Sequence, residues 1–147
     1  MKMGNITFNT MLKLKSVGFA YPDYEHYLNK GMLYFYRDDE YLIGGNSLAG
    51  FSENDQLASQ QGCWLPDDSQ LLKWLQETEF DVLIQWNSAE RYFHIWATDC
   101  QNSVKYTAGG IILVDALAKL IYKICKSARR PYIPHESLKL EIESNTL

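Results

Sequence analysis

The sequence predicts an α+β fold: an antiparallel meander packed against helices, as a single layer or as a helix-sheet-helix sandwich. Two observations carry this. Between residues 80 and 108, three strand-like segments (Phe80 to Trp86, Arg91 to Thr98 and Val104 to Ala108) are separated by short polar turns at 87–90 and 99–103, which are of hairpin length. Residues 111–126 then carry apolar side chains at three- and four-residue steps, the period of a helix with one buried face. A meander backed by a helix is an architecture shared by many activities, so fold class by itself names none.

From the amino terminus, Asn5 or Thr7 can cap a first helix whose apolar positions Phe8, Met11, Leu12 and Val17 form a narrow stripe ending at Gly18. Short strands are expected at Tyr24 to Leu28, Met32 to Tyr36 and Glu40 to Ile43, joined by the tight turns Asn29-Lys30-Gly31 and Arg37-Asp38-Asp39. Residues 44–50, rich in Gly, read as a connection. Ser52 with Asp55 has the form of a capping box, predicting a helix over 53–60 that stops at Gly62. Pro66 followed by Asp67 and Asp68 starts another, from about 67 to 77, with Leu71, Leu72 and Leu75 inward, since Pro suits a first turn and acids suit its dipole.

In the strands, Val82, Ile84 and Trp86 alternate with Asp81, Leu83 and Gln85, so one face is buried. Residues 92–97 are apolar on both faces, which places that strand centrally, with one face covered by the amino-terminal half. In the last helix Ile112, Leu113, Ala116, Leu117, Leu120, Ile121, Ile124 and Cys125 form the core stripe. Pro131 and Pro134 end helical structure. Leu138, Leu140 and Ile142 alternate beyond them with charged residues, predicting an edge strand or arm. The expected organisation is a single domain over 1–130 and a carboxyl-terminal arm over 131–147, through which a homodimer could form.

At 147 residues, with 46% hydrophobic and 22% charged residues, the composition is that of an ordinary globular protein. No apolar run reaches the roughly 18 residues of a membrane span, and no signal-peptide core follows Met1, so a cytoplasmic protein is expected. The net charge of -4 argues against a general nucleic-acid binder. The charge is uneven, however: Lys119, Lys123, Lys126, Arg129 and Arg130 form a basic stretch, either a solvated helix face complementing the dipole or a docking patch for an acidic partner. Cys63, Cys100 and Cys125 are odd in number and lack zinc-ligand spacing, so neither a disulfide framework nor a metal is expected, and no cofactor. Cys100 stands beside Asp99, which opposes thiolate formation.

Chemical motifs are scarce. The Gly-rich loop lacks the Lys-Ser/Thr of a phosphate loop. Gly109-Gly110 would let backbone amides approach an anion, with Lys105 and Lys119 as charge partners, or else forms a tight strand-to-helix turn. His94 lies inside a predicted strand, sharing a face with Tyr92 and Trp96, and could act as a general base with Asp81 or Glu90; packing among aromatics is the simpler role. No catalytic set is recognisable.

Six of the ten tyrosines fall between Phe19 and Tyr41. Tyr24, Tyr27, Tyr34, Tyr36 and Tyr41 are candidates for an aromatic binding surface, since tyrosine brings large area with a polar tip; tyrosine is also a good strand former, so ordinary sheet packing is the alternative. The succession of Leu-Lys-Ser-Val-Gly-Phe (14–19), the aromatic strand region, Gly-Cys-Trp-Leu-Pro-Asp-Asp-Ser-Gln-Leu-Leu-Lys-Trp-Leu (62–75), a hairpin and Ala-Gly-Gly-Ile-Ile-Leu-Val-Asp-Ala-Leu-Ala-Lys-Leu (108–120) resembles small proteins of bacterial mobile elements and phages, of the phage ABA-sandwich type. That resemblance implies a helix-sheet-helix domain and a binding role in phage and host conflict or in an immunity pair. It offers no catalytic residue. The expectation is a non-catalytic immunity factor or inhibitor associating stoichiometrically with a protein or small signalling ligand; the alternative is a small cytosolic enzyme using His94 with a carboxylate.

Overall fold

The computed structural model describes residues 4–19, 31–44 and 50–127. Helix α1 (Phe8–Ser16) is capped by Thr7, whose hydroxyl oxygen accepts from the Thr10 N–H. It ends where Gly18, at φ 89, lets the Phe19 N–H return to the Leu14 carbonyl at 3.0 Å. Met11 and Leu14 face the core, while Leu12, expected on that stripe, lies round the helix and is 47% exposed.

Strands β1 (Leu33–Tyr36) and β2 (Asp39–Leu42) form a hairpin closed by Arg37 and Asp38, both at positive φ (52° and 63°), as a two-residue loop matching strand twist requires. Helix α2 (Glu53–Gln61) has the predicted capping box of Ser52 and Asp55. After it, β3 (Cys63–Trp64) pairs with the other side of β1, giving a first sheet ordered β2-β1-β3. Two residues carry no period, so β3 was not foreseen. Helix α3 (Asp68–Glu77) has a second capping box, Asp67 with Gln70, and buries Leu71, Trp74 and Leu75. Leu72, expected inward, is only half-buried.

The second sheet is the predicted meander: β4 (Phe80–Asn87), β5 (Tyr92–Asp99) and β6 (Lys105–Gly110), antiparallel, with β5 in the middle. Helix α4 (Leu113–Ser127) follows. Registers Val82↔Ala97↔Tyr106 and Ile84↔Ile95↔Ala108 set one face. That face takes α4, which buries Val114, Leu117, Leu120, Ile121, Ile124 and Cys125. Helix α3 packs on both β4 and α4, and α1 packs on α4. A single buried cluster runs from Ile6 and Met11 through Tyr34, Trp64 and Trp74 to Ile95 and Leu117, each large member contributing about 1.5–3 kcal/mol by leaving water.

Three expectations are corrected here. Gly109 and Gly110 belong to β6, and the strand-to-helix turn falls at 111–112. Ile112, placed in the core stripe by periodicity, precedes the helix and is 54% exposed. The other face of the meander, with Leu83, Tyr92, His94 and Trp96, is not covered by the amino-terminal half among the described residues: Leu83 is 63% exposed. The expected strand at 24–28 and the arm at 131–147 lie outside the described residues.

Candidate functional site

Helix α4 has a second stripe besides its buried one. Asp115, Ala118, Lys119, Tyr122, Lys123 and Lys126 recur at three- and four-residue steps and line one wall of a groove of about 1070 Å³. Helix α1 supplies Thr7, Thr10, Lys13 and Leu14, while Ala108 and Gly109 of β6 with Tyr92 of β5 complete the lining. Four lysines thus converge on one cleft that, among the described residues, holds a single carboxylate, Asp115.

Local packing fixes this arrangement. Because the apolar stripe of α4 seats on the meander and α1 packs beside it, the lysines of both helices are turned to the same opening. The Lys123 ammonium donates to the Thr107 carbonyl at 2.6 Å. Lys126 Nζ stands 5.7 Å from the Tyr122 ring centre, a cation–π distance, and also complements the carboxyl end of the α4 dipole. No salt bridge joins Lys13, Lys119 or Asp115 to another side chain among the described residues. Gly109 is small of necessity, since a Cβ there would collide with the Tyr92 ring, which lies across it. Cations in a cleft walled by aliphatic and aromatic groups attract anions more strongly than the same charges spread on a convex surface.

Of the residues singled out from sequence, Lys119, Lys123 and Lys126 are brought into this groove, whereas Arg129 and Arg130 lie outside the described residues. Of the residues read as a possible anion site at Gly109-Gly110, Gly109 and Lys119 line the groove, whereas Lys105 lies outside it, lining a separate hollow with Asp81 and Thr98. Lys13, Tyr92 and Tyr122 were missed. Nothing in the linear sequence joins α1 to α4; only the packing of the two helices does.

The aromatic surface expected from tyrosine density is corrected at Tyr34. Tyr34 is 1% exposed and belongs to the core. Tyr36 and Tyr41 are half-buried and stack edge-on at 6.2 Å, with the Arg37 guanidinium 5.0 Å over Tyr36. Their density serves the β1–β2 hairpin, because tyrosine is as good a strand former as a contact residue. Tyr24 and Tyr27 lie outside the described residues.

The Tyr41 hydroxyl donates to Asp55 at 2.8 Å, and Asp55 also accepts from the Gly44 and Ser52 N–H groups. Burial alone would raise this carboxyl, but those donors, with the Ser52 hydroxyl, outweigh it and hold Asp55 below its ordinary value. Burial, then the Asp55 bond, pushes the Tyr41 phenol up. This knot ties α2 to the hairpin and is structural.

His94 Nε2 lies 3.3 Å from Glu90 Oε2, with the side chains 40% and 62% exposed. Asp81, the other carboxylate considered, pairs with Thr98, four residue pairs along the sheet from the Gln85 opposite His94. The His94 ring sits between Tyr92 at 5.0 Å and Trp96 at 6.0 Å on the open face. Local desolvation, then the Asp81 and Asp99 carboxylates, push the Cys100 thiol up, which leaves it a poor nucleophile. Among the described residues, no three His, Cys, Asp or Glu side chains are grouped to hold a metal ion, and no helix is long and apolar enough to cross a membrane. Comparison with known families, characterised proteins and solved structures finds no match to this chain.

Proposed function

We propose that this chain is a non-catalytic binding protein of a bacterium or phage, an immunity factor or inhibitor that associates stoichiometrically with an anionic partner seated in the groove between α1 and α4. The observation that carries it is the convergence of Lys13, Lys119, Lys123 and Lys126 from two helices on a cleft with one carboxylate. Four like charges held together repel one another, and an anionic ligand would relieve that repulsion by neutralising them. Each exposed lysine–anion contact is worth on the order of 1 kcal/mol in water, so the complex should be strongly salt-dependent.

Titration calorimetry with a short polyglutamate peptide and with inorganic triphosphate tests this at two ionic strengths. One-to-one binding of at least one probe is expected, weakened tenfold or more by Lys13→Glu with Lys119→Glu and again by raising the salt. Failure of both probes to bind, or binding indifferent to the double variant, would remove the proposal.

One contact favours an enzyme instead, the 3.3 Å approach of His94 to Glu90. Neither residue lines the groove, and both are open to water. His94→Gln should therefore leave association intact; a folded variant that lost it would shift the weight to His94.

A further inference from the structure

Resting on that reading of the groove, we infer that the anionic partner is an extended acidic segment of a protein, added as a new strand along the free edge of β6. The sheet order ends at β6, and no strand pairs with its far side among the described residues. Which amides face that edge follows from the register. The Asp99 N–H donates to the Val104 carbonyl at 2.9 Å, and Ala97↔Tyr106 and Ile95↔Ala108 continue from it in two-residue steps. Hydrogen-bonded and non-bonded pairs alternate in an antiparallel ladder. The residues between them, Thr107 opposite Trp96 and Gly109 opposite His94, therefore turn their N–H and C=O groups away from β5. The Lys123 ammonium bears this out independently, since it reaches the Thr107 carbonyl from outside the sheet.

Gly109 lines the groove, so main-chain donors and acceptors and the lysine cluster open into the same space. An unpaired edge is a template for another chain, and natural proteins guard it with lysine. Here Lys123 is the guard. An incoming peptide N–H can take its place on the Thr107 carbonyl, freeing the ammonium for a carboxylate. Main-chain bonds then supply affinity in any sequence, and Lys13, Lys119 and Lys123 select acidic side chains. A small anion would need the lysines alone and would leave the edge amides unused. The six residues of β6 extend about 20 Å at roughly 3.3 Å each, the length of a strand of five or six residues.

The test titrates the full chain with a blocked hexapeptide alternating Glu and Val, with two versions N-methylated at either alternate set of residues, and with inorganic triphosphate. The expected result is that the peptide binds and that one N-methylated set, the one facing β6, loses at least tenfold while the other does not. Thr107→Pro deletes an outward N–H that the β5–β6 ladder does not use, and proline is tolerated on edge strands. It should weaken the peptide similarly and leave triphosphate unaffected, with circular dichroism and melting unchanged. Triphosphate binding that depends on the lysines, beside a peptide that fails or is indifferent to both methylated sets, overturns the strand inference and leaves the groove reading standing. If neither probe binds, both fall. Peptide binding that appears only when residues 131–147 are removed, with both forms melting alike, would give the edge to the chain's own carboxyl-terminal segment and overturn an external partner.

Discussion

Helices α4 and α2 are held to the molecule by opposite forces. Over fifteen residues α4 buries eight side chains, every one apolar. Over nine residues α2 buries only Asp55 and Ala58, and its sequence, ENDQLASQQ, has almost no apolar face. The first is held by non-directional burial spread over many contacts; the second is held by one carboxylate with three donors from outside the helix body. A diffuse attachment leaves the opposite side of the helix free to carry any chemistry, which is why α4 can present four groove-lining charged side chains. A point attachment commits the polar residue to structure, which is why Asp55, though buried and perturbed, is no candidate for function.

Truncating the middle of the α4 stripe tests the first half of that contrast and carries the largest expected effect. Leu117→Ala should lower unfolding stability by about 2–5 kcal/mol through lost burial and a residual cavity. A change under about 0.5 kcal/mol in denaturant unfolding, typical of surface sites, would mean that the helix does not seat as described.

The second half is tested at Asp55. Replacing it with Asn removes a charged acceptor from buried donors and should cost about 1–3 kcal/mol near neutral pH. The dependence on pH has a definite sign. The folded carboxyl titrates below the unfolded one, so its stabilisation is complete above the unfolded value, near about 4, and is lost as pH falls through the folded value. Melting temperatures of the parent and of Asp55→Asn should therefore stand at their full separation above about pH 4 and converge as the pH falls below it; a gap that stays unchanged from neutral pH down into acid would show that the carboxylate charge is not what holds α2.

The smallest stability effect belongs to the groove. Lys119→Glu should change stability by under about 0.5 kcal/mol, because the side chain is exposed and meets no counter-charge among the described residues. Its effect on anion binding should nonetheless be the largest of any variant in this set. A marked loss of stability would make Lys119 part of the scaffold and blur the distinction between the two faces of α4.

Local signals in the sequence named most elements because each rests on contacts within a few residues. The Ser52 and Asp55 capping box and the period of α4 appear where they were read; the turn read over Arg37 to Asp39 closes one residue tighter, at Arg37-Asp38, and the alternation along β4 holds at Val82 and Ile84 but not at Trp86, which is 47% exposed. The failures share one cause. Tyrosine density around 34–41 was ambiguous between a surface and a packed hairpin, and the partner that decides it, Asp55, lies fourteen residues on from Tyr41. β3 is too short to have a period and exists only because β1 offers it an edge. The lysines of α4 were visible as a basic stretch, but a stretch is not a cleft.

By itself the sequence determined the α+β class, the meander, the caps and which side of α4 faces inward, since periodicity and capping are properties of neighbouring residues. Only the tertiary structure decided what the outward side of α4 faces. Lys13 joins Lys119, Lys123 and Lys126, and the edge of β6 opens beside them, because buried contacts more than a hundred residues apart in sequence bring α1 against α4. Such contacts leave no trace in local pattern: each helix would satisfy its own propensity equally well against a different neighbour.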